Sequence, residues 1–172
     1  MDSCKTSRRR TPRGFTLIET ALTVTIVGVA IVAMCQLLTA GTLANRESSE
    51  LTTGMTMARN AREFSLKLAF WDPTTPTVWG IDAGETSTNP KTYDDINDMA
   101  GREFSPPIDS SGSQLTGFND WKQKVTVISV DQNLLTSQRP NGTTPAAQIT
   151  VDVYHKTDKV ATLTWFTFYG AP

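Results

Sequence analysis

The pattern of apolar and polar positions divides the chain into three textures. From Thr20 to Asn45 no residue is charged, and Val24, Ile26, Val27, Val29, Ile31, Val32, Met34, Leu37 and Leu38 make that run hydrophobic on every side. A helix rises about 1.5 Å per residue and needs roughly 20 apolar residues to cross the hydrocarbon core of a bilayer. The run therefore predicts a transmembrane helix over residues 15–40. Its threonines at 20, 23, 25 and 39 do not spoil it, because a threonine hydroxyl can bond to a carbonyl one turn earlier.

The second texture has helical period. Met57, Ala61, Phe64, Leu68 and Trp71 recur at alternating steps of four and three, with Arg46, Glu47, Glu50, Arg59, Arg62, Glu63 and Lys67 among them. That is one apolar stripe on a polar helix. It predicts an amphipathic continuation over residues 41–71, so that a nearly unbroken helix runs from Phe15 to about Phe70, about 84 Å if straight. Gly28, Gly41 and Gly54 are its weak points, each about 1 kcal/mol poorer than alanine, unless close helix contact requires them. Trp71-Asp72-Pro73 ends the helix, since the residue before a proline is pushed out of the helical region.

The remaining residues, 72–172, read as a soluble globular domain. Residues 72–120 are rich in Thr, Pro, Gly, Asp and Ser and predict loops, with a short helical turn near Tyr93–Ala100. From Lys124 the pattern alternates with period two: Val125–Val130, Gln148–Tyr154 and Val160–Phe168 each read as a half-buried strand. Asn141-Gly142 falls in the loop between the first two, and His155–Lys159 in the hairpin between the last two. The expected fold is α+β: a small antiparallel sheet within residues 124–169, laid on the stripe of the long helix.

Charge then orients the chain. The 172 residues carry 16 Lys and Arg against 17 Asp and Glu, which gives no reason to expect nucleic acid as a partner. However, Lys5, Arg8, Arg9, Arg10 and Arg13 face only Asp2 before the apolar run. The positive-inside rule keeps that head cytoplasmic and sends the C-terminal body across the membrane. One histidine and two cysteines, Cys4 and Cys35, exclude by count a Cys/His zinc site and a multi-disulfide framework.

One residue resists a plain anchor. Glu19 lies at the start of the apolar run, where a carboxylate at membrane depth costs at least about 2.5–3.5 kcal/mol. A secretory signal cut after Thr42-Leu43-Ala44 would have a shorter core, and a generic anchor gives no reason for the acid. Arg13-Gly14-Phe15-Thr16-Leu17-Ile18-Glu19 followed by an apolar helix resembles the N-terminal signature of type IV prepilins and type II secretion pseudopilins. The resemblance covers about residues 8–40. It implies a basic leader, residues 1–14, removed between Gly14 and Phe15 by a prepilin peptidase on the cytoplasmic side, with methylation of the new amine on Phe15. It also implies a pilin-like fold and, as partners, other pilin or pseudopilin subunits, the inner-membrane assembly platform and membrane lipid. Glu19 then becomes an assembly residue, its carboxylate meeting the Phe15 amine of a neighbouring copy in a medium that strengthens the pairing. Major pilins resemble one another in a helix-kinking proline where this chain has Gln36, which points to a minor pilin or pseudopilin.

Other chemistry is sparse. Asp94, Asp95 and Asp98, with Asn97 among them, are weak calcium candidates: the resemblance invites the ion and hard oxygens suit it, but the spacing is not that of an EF-hand. His155 beside Lys156 and Asp158 reads as a solvent-exposed turn residue with no nucleophile to serve. Asn141-Gly142-Thr143 matches a glycosylation triplet but reads as a turn. No catalytic residue and no cofactor are expected. The expected function is that of a non-enzymatic filament subunit held in the inner membrane before assembly. The rivals are a membrane-anchored extracytoplasmic binding protein with no filament role and a secreted enzyme released after Ala44.

Overall fold

The computed structural model describes residues 14–76 and 78–170. The leader, apart from Gly14, and Cys4 lie outside the described residues. The helix α1 spans Leu17–Ser65, and the chain divides into two compact units, Met1–Asn45 and Arg46–Pro172.

In the first unit α1 begins at a sequence-encoded cap. The Thr16 hydroxyl accepts the Glu19 N–H at 3.3 Å, which satisfies one of the free donors of a helix start. Beyond it the threonine hydroxyls turn inward: Thr23 donates to the Glu19 carbonyl at 2.7 Å, Thr25 to Ala21 at 2.9 Å and Thr39 to Cys35 at 2.9 Å. Each of these hydroxyls is thus satisfied without water, as a bilayer requires. The apolar side chains have no cover: Leu17 is 89% exposed and Leu37 73%. This stretch, with a mean hydropathy of 2.3 over its most apolar window, is a candidate membrane span or signal sequence. Gly28 and Gly41 face open space.

The second unit holds the hydrophobic core. From α1 it takes Met57, Ala58, Ala61 and Phe64, the centre of the stripe read from the sequence. Against them lies a five-stranded antiparallel sheet: β1 (Glu103–Phe104), β2 (Trp121–Asp131), β3 (Leu134–Gln138), β4 (Ala146–His155) and β5 (Asp158–Phe168). Its order is β1-β2-β4-β5, and β3 pairs with the end of β2 through Val130–Gln138 and Asp131–Leu134. The register sets Val125 opposite Val151, Val127 opposite Ile149 and Val151 opposite Leu163, so the period-two apolar positions form one inner face. Gly54 is a point of contact rather than of flexibility. A Cβ there would stand 3.1 Å from the Ala161 Cβ and 3.3 Å from Val160, so glycine lets α1 approach β5.

Gln123 binds three parts of the core together. Wholly buried on β2, its side chain donates to the Met57 carbonyl at 2.7 Å and the Ile108 carbonyl at 3.2 Å, and accepts the Ile108 N–H at 2.8 Å.

The structure corrects two sequence expectations. First, α1 stops at Ser65 rather than near Phe70. The Lys67 and Leu68 amides fall back to Phe64 and Ser65, and Ala69 then gives its N–H to the Asp94 carbonyl while its own carbonyl takes the Ile96 N–H. This parallel bridge captures the chain before the proline acts, and Leu68 and Trp71 leave the helical stripe. Second, β1 and β3 join the three expected strands. The short helical turn expected near Tyr93–Ala100 is present, as a 3₁₀ turn rather than an α-turn. Two short 3₁₀ turns, Pro90–Thr92 and Ile96–Met99, stand on either side of Tyr93.

Candidate functional site

Two places merit a functional reading, one in each unit. In the first unit, Gly14, Phe15 and Thr16 precede the helix without regular structure, and Phe15 is 79% exposed. The Gly14–Phe15 bond therefore lies in accessible chain directly before a helix start. Glu19 occupies the first turn of α1, where an acid is favoured by the helix dipole. Among the described residues its carboxylate has no ion-pair partner. Cys35 is an exposed free thiol on the same helix.

In the second unit, the loops after α1 gather carboxylates. Asp94, Asp95 and Asp98 come together as the sequence placed them, and Asp72 and Glu85 join from elsewhere. Oxygens of Glu85, Asp94 and Asp98 lie within 4.8 Å of one another, as do those of Asp72, Asp94 and Asp95. The local reason is capping. Asp95 caps the turn Ile96–Met99 by accepting the Asn97 N–H, and Asp98 reaches back to the Asp95 N–H at 3.1 Å and the Asp94 N–H at 3.2 Å. Glu85 accepts from Asp82 N–H at 3.1 Å and Asp94 N–H at 3.0 Å. Asp72 closes a turn of its own, with the amides and hydroxyls of Thr74 and Thr75 on its carboxylate at 2.5–2.9 Å.

The electrostatics follow from this burial. Desolvation pushes Asp98 up to about 7, assisted by the hydrogen bond to Glu85 and opposed by the Asp95 amide. Asp95 rises to about 6, again through burial, against the amides of Asn97 and Asp98. Asp94 is raised by burial and then by the charges of Asp72, Glu85 and Asp82. The Thr75 hydroxyl and amide hold Asp72 well below the usual carboxylate range. The donor set has the hard oxygens that suit calcium. Yet Asp72, Asp95, Asp98 and Glu85 already accept protein donors, and among the described residues only the Asp94 carboxylate of this cluster accepts none. The arrangement suits proton sharing between Glu85 and Asp98 better than enclosure of an ion.

Sequence reasoning missed Asp72 and Glu85 as members of the cluster, because they lie 22 and 9 residues before Asp94. The Asp95-Ile96-Asn97-Asp98 spacing did carry a signal, that of a capping box. His155 also differs from expectation: it is partly buried at the end of β4, stacked on Trp121 with ring centroids 4.5 Å apart and with Nδ1 3.6 Å from Glu50 Oε1. Asn141-Gly142-Thr143 forms a turn in which the Gly142 N–H donates to Ser129 Oγ at 3.0 Å. Gly142 also lines a cleft of about 400 Å³ with Trp71, Asp72, Pro73, Pro76 and Tyr169.

Comparison of the chain with family models, with curated proteins and with solved structures gives no match.

Proposed function

We propose that this chain is the precursor of a filament subunit of the type IV pilin and type II pseudopilin kind, with a pilin-like fold and no enzymatic activity. The observation that carries the reading is Glu19: an acid without an ion-pair partner among the described residues, at the head of an apolar helix surface that nothing in the unit covers. A bare anchor gains nothing from that charge, whereas an assembling helix gains a register. In this reading the peptidase cuts after Gly14, the new Phe15 amine is methylated, and α1 holds the subunit in the inner membrane with its second unit on the extracytoplasmic side. On assembly, the amine of one copy meets Glu19 of another. The absence of a proline at Gln36 supports a minor subunit.

The helix dipole offers Glu19 a purely local role, and two variants separate the roles. Glu19→Gln keeps a polar first-turn side chain and loses the charge; Glu19→Ala loses both. Expressed with a prepilin peptidase and an assembly platform, both variants are expected to be cleaved and membrane-inserted and to be missing from sheared filaments. Intact-mass analysis of the product should give an N-terminus at Phe15. A chain that keeps residues 1–14, or Glu19→Gln at normal abundance in filaments, overturns the proposal.

The cleft beside Trp71 and Tyr169 favours the second reading, an anchored binding protein. That reading expects the chain in membranes and none in sheared filaments.

A further inference from the structure

The sheet has two unlike margins. On one side β2 is covered by β1 and β3, and further main-chain groups are taken by bonds from the Val125 N–H to Arg102 and from the Arg139 N–H to Ser129. On the other side β5 ends the sheet with eleven residues. Among the described residues, no hydrogen bond from any element but β4 reaches the main chain of Val160–Phe168. A free row of N–H and C=O groups accepts another strand unless something blocks it, and the usual blocks are proline, charge, a bulge or brevity. From Val160 to Phe168 there is no proline and no charge. The one irregularity of register lies at Val153/Tyr154, opposite Val160, which leaves Ala161–Thr167 regular. Phe166 and Phe168 are each 39% exposed. Beyond that irregularity and the charges of Asp158 and Lys159, this is an open, uncharged edge.

We propose that Ala161–Thr167 of β5 pairs antiparallel with the same segment of a second copy of this chain, centred on Thr164. The free main-chain groups require an extended partner, and the side chains select a neutral one. Self-pairing about Thr164 sets Thr164 against Thr164 and Thr162 against Phe166 on the outer face, with Leu163 against Trp165 and Ala161 against Thr167 on the inner. Pairs of β-branched and aromatic residues are the favourable ones across strands. Asp158 and Lys159 fall outside the ladder, so no like charges oppose. The existing Thr150–Thr164 hydroxyl contact of 3.0 Å becomes part of a row of four threonines across both copies. The pair is closed by its two-fold axis. It does not depend on the filament reading, because it uses none of residues 14–45.

The test is disulfide trapping in the full chain, in membranes, on a Cys4→Ser/Cys35→Ser background. Directly opposed residues in an antiparallel pair have Cα atoms about 4.5–5.5 Å apart, within disulfide reach of about 4.4–6.8 Å. Under mild oxidation Thr164→Cys is expected to give a covalent dimer. Thr162→Cys and Phe166→Cys are each expected to stay monomeric alone and to link to one another when co-expressed. Adding Thr164→Lys should lower that mixed link by up to about fivefold through like-charge opposition, while Thr164→Ser should preserve it. The urea midpoint of the Lys variant, read by tryptophan fluorescence, should stay at the wild-type value. Absence of the Thr164→Cys dimer, equal linking at all three positions, or a link to a protein of another mass overturns the proposal. Each of these outcomes is read whether or not filaments form.

Discussion

Asp98 gives the cluster its sharpest consequence. Buried and set against Glu85, it titrates near 7 in the fold and at its ordinary 3.8 when the chain unfolds. Between those values the folded state holds a proton that the unfolded state has released, so stability falls as pH rises through this window. Above pH 7 the penalty is complete. The full shift of about 3 pH units corresponds to about 4 kcal/mol at 1.36 kcal/mol per unit. Loop opening and water entry reduce this, and we take about 1–2 kcal/mol as the working figure. Asp95, raised to about 6, adds to the slope in the same direction. Asp98→Asn keeps an oxygen for the Asp94 and Asp95 amides and removes the charge. The variant should therefore be more stable than wild type by about 1–2 kcal/mol at pH 8 and by less than half of that at pH 5. Urea unfolding of the full chain is the assay, since all four tryptophans, Trp71, Trp79, Trp121 and Trp165, report on the second unit. Taking the difference between variant and wild type at each pH cancels the other titrating groups. An Asp98→Asn chain destabilised equally at both pH values would refute the reasoning and make the carboxylate a simple cap.

Gln123→Leu removes three buried hydrogen bonds and leaves the Ile108 N–H unpaired; about 2–4 kcal/mol should be lost, read as a lower urea midpoint, and a loss under about 1 kcal/mol would contradict the reading. Gly54→Leu forces a side chain into Ala161 and Val160 and should destabilise by about 1–3 kcal/mol through overpacking, with no change in membrane insertion measured by carbonate extraction. Calcium at millimolar concentration should leave the midpoint at pH 8 unchanged, because the carboxylates other than Asp94 already accept protein donors. A midpoint that climbs with calcium at pH 8 and ignores it at pH 5 would give Asp94, Asp95 and Asp98 the ligand role instead.

What was legible in the sequence was what depends on period. A run of 26 uncharged positions, a stripe at 57, 61 and 64, and three alternating segments are local patterns, and each led to a real element. What was not legible depends on which distant segment arrives first. The helix should have run to the proline on local grounds, but Asp94 and Ile96 take the Ala69 main chain four residues earlier. Glu85 and Asp72 reach the acidic cluster by that same detour, so no spacing rule could have included them. Gln123 reads as a polar flank of a strand and is instead wholly buried in the core, because the inner-face parity that selects Val125 and Val127 also selects position 123.

Parity also says nothing about strand order, and that bears on the proposed pairing. Val125–Val130 and Val160–Phe168 alternate alike, yet one becomes an inner strand and the other an edge. A strand meant for a permanent margin in water is expected to carry a guard, such as the charges that the short β1 has at Glu103 and its neighbour Lys122. β5 carries its guards only at Asp158 and Lys159, before the regular ladder begins. An edge that is guarded at one end and open along its length has the composition of an inner strand, which is the place it takes once a second copy is added.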